Sequence, residues 1–236
     1  MTAGRAAQVA LGLADVRARI DAACAAAGRA AGSVRLVVVT KTFPASDVRI
    51  LAELGCADVG ENRDQEARAK RAELGLDAPG LRWHMIGQLQ RNKARSVASW
   101  ADVVESVDRE ELARALSAAA VSAGRQLDIL VQVCLDPEPT AGRGGALPGQ
   151  VPGLAALVSE LPGLRLAGVM GVAPHPGDPG PAFGRLASLA AQVAPLVEGP
   201  PVISAGMSGD LEQAIAHGAT QVRIGGAVLG NRPPLG

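Results

Sequence analysis

Hydrophobic and polar positions along the chain follow two different periods. In the first thirty residues, apolar side chains recur at steps of three and four, which predicts an amphipathic N-terminal helix. Those side chains belong to Val9, Leu13, Val16, Ile20 and Cys24. Beyond this segment, short apolar runs typical of strands alternate with helix-like segments such as SDVRILAEL, DREELARALSAAA and GDLEQAIAHG.

Eight strand-like runs can be counted, with a helix-like segment in each gap. They cover residues 34–39, 57–60, 82–86, 102–107, 127–133, 164–169, 201–204 and 221–224. Such alternation implies parallel pairing, and eight units in this length predict a single (β/α)8 TIM barrel over residues 1–236, with an extra N-terminal helix. An open doubly wound sheet is the alternative, but the turn after the first strand, TKTFPAS, lacks that fold's glycine fingerprint.

Composition narrows the possible partners. The 236 residues carry a formal net charge of zero, which predicts neither nucleic acid nor an anionic membrane as a general partner. The chain has no apolar run of membrane-spanning length and no signal-peptide pattern. Three cysteines without a CxxC pair indicate a cytoplasmic protein with reduced thiols. Neither metal-ligand spacing nor a Ser/His/Asp pattern is evident, and the absence of tyrosine excludes any mechanism that needs a phenol.

Lys41 follows the apolar run of the first strand, with only the β-branched Thr40 between them. Closure of a barrel would place it beside strand eight, near two glycine-rich turns, ISAGMSGDLE and RIGGAVLGN, at the positions where barrels often hold phosphate. A phosphorylated aldehyde bonded to Lys41 as a Schiff base would join these features. Each feature also has a plainer interpretation: Lys41 could pair with a carboxylate, and Ser208 could cap a helix.

The remaining candidates also allow two interpretations. Arg223 could donate to a pyridine nitrogen and keep it unprotonated, or form an ion pair at the barrel end. Asn62 could belong to the site or cap the next helix. His84 could be a catalyst or a structural histidine, and Met170 could take part in the chemistry or simply line the barrel. His175 and His217 are expected at the surface.

Five motifs occur in order over nearly the whole chain: TKTFP, GENR, WHMIGQLQRNK, GVMGVAP and ISAGMSGDLEQAIAHGATQVRIGGAVLG. This series resembles the pyridoxal phosphate homeostasis proteins (the YggS/PROSC type), whose barrel is similar to the N-terminal domain of alanine racemase, the third fold type of pyridoxal phosphate (PLP) proteins. The resemblance implies that Lys41 bears the cofactor and that Arg223 faces the pyridine nitrogen. It implies that Ser208, Gly225 and Gly226 hold the phosphate. It places five further residues near the cofactor with looser roles: Asn62, His84, Met170, Ser204 and Met207.

The resemblance also implies a function. The chain is expected to bind PLP on Lys41 and to take part in PLP homeostasis without robust catalytic turnover, with PLP-dependent apoenzymes as partners. A single barrel with no obvious apolar surface stripe is itself expected to be a monomer. Three positions depart from the family pattern. Gly226 stands where threonine or serine is usual, so one hydroxyl toward phosphate is missing. Cys134 replaces a common asparagine, and Arg63 replaces a frequent tyrosine.

Two enzymatic alternatives remain open. An amino-acid racemase of this fold uses a lysine and a tyrosine on opposite faces of the ring, so a chain without tyrosine would need another base such as His84. A Schiff-base aldolase acting on sugar phosphates shares the lysine and the phosphate loops, but usually carries the lysine on a middle strand rather than the first.

Overall fold

The predicted N-terminal helix is present and packs on the end of the chain. The computed structural model describes residues 3–75, 78, 80–136 and 144–230. Helix α1 spans Ala3–Ala26, and the five apolar residues that predicted it are all buried. This face packs mainly against the last two helices, α8 (Leu211–Ala216) and α9 (Gly226–Leu229).

The strands form a closed parallel barrel, which confirms the predicted fold and rules out the open sheet. In chain order they are β1 Arg35–Val39, β2 Asp58–Glu61, β3 Arg82–Met85, β4 Val103–Val107, β5 Leu127–Val133, β6 Leu164–Gly171, β7 Val202–Ser204 and β8 Gln221–Ile224. Each strand pairs with the next in sequence, and β8 pairs with β1 to close the ring.

A helix occupies each gap between consecutive strands, as the sequence predicts. These helices are α2 Ala45–Glu53, α3 Asp64–Leu74, α4 Ala94–Ala98, α5 Glu110–Ser122, α6 Val151–Glu160 and α7 Gly180–Val193, followed by α8. The Pro/Gly-rich stretches DPEPTAGRGGALPG and APHPGDPGPA predict loops after β5 and β6. Residues 137–143 of the first lie outside the described residues, and α7 begins within the second, at Gly180.

The apolar core lies between the strands and the surrounding helices. Val38, Val59 and Ile129 belong to this cluster. Their neighbours Val37 and Leu130 are equally buried but lie outside it, because successive side chains of a strand point to opposite faces. The inner face of the barrel therefore forms a separate layer, and much of that layer is polar.

Ion pairs link neighbouring strands at the end of the barrel where the strands begin. Asp128, at the start of β5, accepts from Arg82 at 2.5 Å and from Arg165 at 2.7 Å. Asp58 of β2 lies 3.7 Å from Arg35 of β1. The opposite end, where the strands finish, carries the candidate site. Among the described residues, no helix combines the length and the apolar character needed to span a membrane.

Candidate cofactor site

Closure of the barrel brings Lys41 to the turn that follows β8. Val37 pairs with Arg223 and Val38 with Ile224, so the chain beyond Val39 runs beside Gly225. A Cβ added to Gly225 would lie 3.0 Å from the Val39 carbonyl oxygen, so the two backbones are in close contact. Lys41 follows two residues after Val39 and is half-buried. The backbone that leads into Lys41 therefore passes directly beside the glycine turn after β8.

The turn after β7 provides the second glycine-rich segment. Gly206 has φ +97°, and a Cβ there would come within 2.8 Å of the Ala214 side chain, so this turn requires glycine. Helix α8 has Asp210 as its N-cap, and the Asp210 carboxylate accepts the Met207 N–H at 2.6 Å. Ser208 lies two residues before this cap, so the interpretation of Ser208 as the capping residue is wrong.

These two turns leave backbone donors available for an anion. Within the described part of the chain, the N–H groups of Ser208, Gly209 and Gly226 have no acceptor. All three residues are exposed. A Cβ at Gly226 would meet nothing within 4 Å, so this part of the turn is open to approach. Arg19 of α1 donates to the Ser208 carbonyl oxygen at 3.1 Å and steadies this turn from outside.

Arg223 points into the barrel, where its guanidinium is held by two acceptors. It donates to the Ser204 hydroxyl at 2.6 Å and to the Gly171 carbonyl oxygen at 3.0 Å. Burial lowers the pKa of Arg223, and the nearby charges of Glu105 and Asp210 oppose that effect. Because arginine is not deprotonated in proteins, the buried side chain is a cation that can only donate hydrogen bonds.

Ser204 links this arginine to a buried carboxylate. Its hydroxyl donates to Glu105 at 2.6 Å and accepts from Arg223 and, at 3.0 Å, from Gln221. A hydroxyl has one donor and two acceptor positions, so protein groups use all of its capacity. Ser204 therefore orients Arg223, and its placement near a cofactor stays a prediction.

His84 completes the inner network from the opposite side of the barrel. Its ring nitrogens lie 2.6 Å from Glu105 and 2.9 Å from Asp58. Burial alone would lower the pKa of His84, but the hydrogen bonds and charges of Asp58 and Glu105 outweigh it and the net shift is upward. Burial alone would raise the pKa of Glu105, but the hydrogen bond and charge of His84, helped by Arg223, lower it. The two carboxylates, one at each ring nitrogen, thus stabilise the charged form of His84.

The other candidates lie at different depths. Met170 is buried and pairs with Ser204 in the sheet register, whereas Met207 is 42% exposed. Asn62 is half-buried after β2, and only glycine fits at position 87, because a Cβ there would lie 2.3 Å from the Asn62 carbonyl oxygen. His175 and His217 are exposed, as expected.

Three residues of the inner network were missed by sequence reasoning: Asp58, Glu105 and Gln221. Each is a buried polar side chain within a barrel strand. A lone carboxylate inside VVESV is the signal that could have identified Glu105. In the part of the chain that the structure describes, no cluster of three or more His, Cys, Asp or Glu side chains could hold a metal ion.

Comparison with known proteins identifies the family. The profile of the alanine racemase N-terminal domain matches residues 13–233. A pyridoxal phosphate homeostasis protein of Mycobacterium tuberculosis is 46% identical over 237 residues, covering 93% of this chain and 91% of that protein.

Two solved structures share the barrel. PipY of Synechococcus elongatus, determined with PLP bound, is 34% identical with a TM-score of 0.81, covering 94% of this chain and all of PipY. Alanine racemase of Corynebacterium glutamicum is 13% identical with a TM-score of 0.71; the match covers 97% of this chain and 62% of the racemase, a likeness of fold alone. On its sequence and its barrel, the chain belongs to the pyridoxal phosphate homeostasis proteins, within the alanine racemase N-terminal domain family.

Proposed function

We propose that this protein binds PLP, holds it covalently on Lys41 and takes part in intracellular PLP homeostasis without robust catalytic turnover. The observation that carries the proposal is the contact between the β1 and β8 ends, which sets Lys41 beside a glycine turn with free backbone donors. The bound PLP of PipY and the names of the close relatives support the same cofactor for this chain.

The two glycine turns fit the phosphate group. Phosphate accepts several hydrogen bonds, and the N–H groups of Ser208, Gly209 and Gly226 are donors of the kind that bind anions at the start of helices. The exposed Ser208 hydroxyl can add one more bond. Backbone donors thus replace the side-chain hydroxyl that a glycine at position 226 does not supply.

Arg223 fits a pyridine nitrogen that stays unprotonated. A permanently charged guanidinium can donate to this nitrogen but cannot accept its proton. By leaving that nitrogen unprotonated, Arg223 would keep the ring a weak electron acceptor. This arrangement suits retention of the cofactor better than its use in catalysis.

Lys41 provides the covalent attachment. PLP supplies an aldehyde when bound. The neutral Nζ of Lys41 would be the group that attaches to this aldehyde, with the loss of one water molecule. The chain contains only three lysines, Lys41, Lys70 and Lys93, so the site of attachment can be determined without ambiguity.

The proposal is tested by reduction and peptide mapping. Protein incubated with PLP should develop a visible absorbance that borohydride abolishes, with the added mass found on the peptide containing Lys41. Lys41→Ala should lose both signals, and Lys93→Ala, which changes an exposed lysine, should keep them. Wild-type protein that gains no mass on Lys41 would refute the function.

Turnover is tested separately, with solvent deuterium. We expect alanine or serine incubated with the PLP-loaded protein to exchange its Cα hydrogen slowly, because the chain offers no tyrosine as a second base. Rapid exchange that is lost in Lys41→Ala would instead indicate a racemase-like enzyme.

The proposal extends to partners and setting. We propose a monomeric cytoplasmic protein that passes PLP to PLP-dependent apoenzymes. The three cysteines are free thiols, which suits a reducing compartment. Light scattering would measure the mass in solution, and restoration of activity to an apoenzyme across a dialysis membrane, compared with direct mixing, would separate contact from diffusion.

A further inference from the structure

The turn that carries Lys41 has an unusual backbone conformation. Thr42, the next residue, has φ +70°, in the left-handed region that β-branched residues rarely adopt. The Phe43 N–H donates to the Thr40 carbonyl oxygen at 3.0 Å, which tightens the turn around Lys41. Such a conformation persists only where surrounding groups hold it.

Three charged residues outside the turn surround it. We name Glu61, Glu66 and Lys70 the lysine clamp; Glu61 ends β2, and the other two lie on α3. Lys70 Nζ is 2.7 Å from Glu61 Oε1 and 2.6 Å from Glu66 Oε1. The side chains of Lys70 and Glu61 are 7% and 0% exposed. All three ammonium protons are used, because the third acceptor is the Thr40 carbonyl oxygen at 2.7 Å.

The lysine clamp grips the chain on both sides of Lys41. On one side, the Thr40 carbonyl accepts from Lys70, and the Thr40 hydroxyl donates to Glu61 at 2.6 Å. On the other side, the Thr42 N–H donates to Glu66 at 2.5 Å. The backbone that sets the direction of the Lys41 side chain is therefore fixed by side chains from two other elements.

Stability alone gives a weak account of this cluster. A buried ion pair recovers little more than the cost of removing its charges from water, so apolar residues of similar volume would stabilise the fold as well. Burial raises the pKa of Glu61, and the charge and hydrogen bond of Lys70 oppose that rise. What the charged groups provide, and apolar groups cannot, is a set of directed hydrogen bonds to the Lys41 turn.

We propose that Lys70, with Glu61 and Glu66, is a positioning residue that aims Lys41 Nζ at the cofactor aldehyde; this rests on the function proposed above. Lysine has four rotatable side-chain bonds, so the direction of its Cα–Cβ bond decides where the amine can reach. Without the clamp, the turn can relax from its left-handed residue and Lys41 leaves the productive position. The phosphate turns, on other strands, are unaffected.

The test separates covalent attachment from cofactor binding. Lys70→Met removes the charge and keeps the length. We expect PLP to attach to Lys41 more slowly, on the order of tenfold to hundredfold. The rate is measured by visible absorbance and by the mass of the protein after borohydride reduction. Binding of pyridoxine 5′-phosphate, which has no aldehyde and cannot bond to Lys41, should change by less than about twofold, since the phosphate donors remain. Lys70→Arg, which restores a donor cation, should recover most of the attachment rate.

Two further variants keep the test decisive. Glu66→Ala removes the carboxylate that accepts the Thr42 N–H. Glu66 is partly exposed on a helix, where alanine is tolerated, so this variant can be measured even if Lys70→Met does not fold. It should slow attachment in the same way. Arg125→Met is the control, because Arg125 also donates to a carboxylate and a backbone carbonyl, those of Asp102 and Ala98, away from the strand ends that carry the site. It should lower stability and leave attachment unchanged.

The outcomes are distinct. Wild-type attachment rates in the folded clamp variants would overturn the positioning role, and so would an equal loss of PLP and of the aldehyde-free analogue, which would indicate a purely structural role. A wild-type protein that never attaches PLP to Lys41 would instead refute the proposed function itself.

Discussion

Arg223 donates to the hydroxyl of Ser204 at 2.6 Å, and both side chains are buried inside the barrel. The Ser204 hydroxyl in turn donates to Glu105, whose carboxylate lies 3.9 Å from the same guanidinium. The cation that faces the cofactor ring in the proposed function is thus oriented through a neutral hydroxyl and balanced by a carboxylate one contact further away. Changes at Ser204 should therefore be detected at the cofactor.

Ser204→Ala should weaken PLP binding severalfold and lower the free energy of unfolding by about 1–3 kcal/mol, because Arg223 and Glu105 lose a buried partner. Absorbance titration measures the first effect and urea denaturation the second. Ser117→Ala is a matched control. Ser117 lies buried on α5, and its hydroxyl donates to the Pro162 carbonyl oxygen at 2.7 Å. The control should lose stability alone. Normal PLP affinity in folded Ser204→Ala would contradict the orienting role.

Glu105→Gln should be far more costly than loss of a surface carboxylate. It removes the negative charge shared by His84 and Arg223 in a fully buried position, and breaking a buried pair costs about 3–5 kcal/mol. Glu110→Gln, which alters an exposed pair with Arg114, should change stability by less than about 0.5 kcal/mol.

The coupling between Glu105 and His84 can be isolated by a double-mutant cycle. His84→Gln and Glu105→Gln should be strongly non-additive, with an interaction energy of about 1–3 kcal/mol in urea denaturation, because each variant already removes the same ion pair. Additive costs would show that the two side chains act independently.

The same pair predicts how stability depends on pH. The pKa of His84 is raised in the folded protein, because Asp58 and Glu105 more than offset its burial. In the unfolded chain the pKa of histidine is about 6.5. The folded state therefore holds the proton more tightly, and the resulting stabilisation is complete below pH ~6.5 and disappears as the pH rises through the folded pKa.

Urea denaturation across this interval tests the pH dependence. The difference in unfolding free energy between wild type and His84→Gln should shrink as the pH rises above about 6.5. The protein has three histidines, so comparing the NMR ring signals of wild type and His84→Gln assigns the one from His84. A His84 signal that titrates below the ordinary histidine range would refute the charged arrangement.

The barrel could be predicted from local patterns because each strand is marked by its own residues. The first strand was expected at 34–39 and spans Arg35–Val39, and the sixth was expected at 164–169 and continues to Gly171. Valine-rich runs with glycine or proline between them determine such elements within a few residues of chain. The position of Lys41 beside the last strand follows from closure alone.

The inner polar network could not be predicted in this way. Glu105 is bonded to His84, Ser204 and Gln221, which lie 21, 99 and 116 residues away in sequence. No local sequence pattern predicts these hydrogen bonds, because they depend on which strands face each other across the barrel. A carboxylate inside an apolar strand signals only that some partner must exist.

Lys70 shows how a local pattern can mislead. Its spacing of four from Glu66 is that of an exposed helical ion pair. The pair does form, but Glu61 and Thr40 also approach and bury the lysine. The left-handed conformation of Thr42 gives no sequence signal either, since glycine or asparagine would be expected at such a position.

Gly226 and Gly225 allow the phosphate site to be improved or damaged by the same substitution. A side chain at Gly226 meets nothing within 4 Å, and its φ lies outside the left-handed region. Gly226→Ser should therefore add one hydroxyl donor beside the free N–H groups and tighten PLP binding about three- to tenfold, the equivalent of one hydrogen bond. Gly225→Ser places its Cβ 3.0 Å from the Val39 carbonyl oxygen and should push β1 away from the turn, weakening binding.

Competition with inorganic phosphate identifies the group responsible. If the new serine contacts phosphate, Gly226→Ser should bind inorganic phosphate more tightly, in proportion to its gain for PLP, as measured by displacement of the bound cofactor. Unfolding of Gly226→Ser without ligand should be unchanged or slightly harder, since replacing glycine restricts the unfolded chain. A gain for PLP without a gain for phosphate would place the serine against the ring instead, and a loss for both would mean that the open space at Gly226 is needed by the phosphate itself.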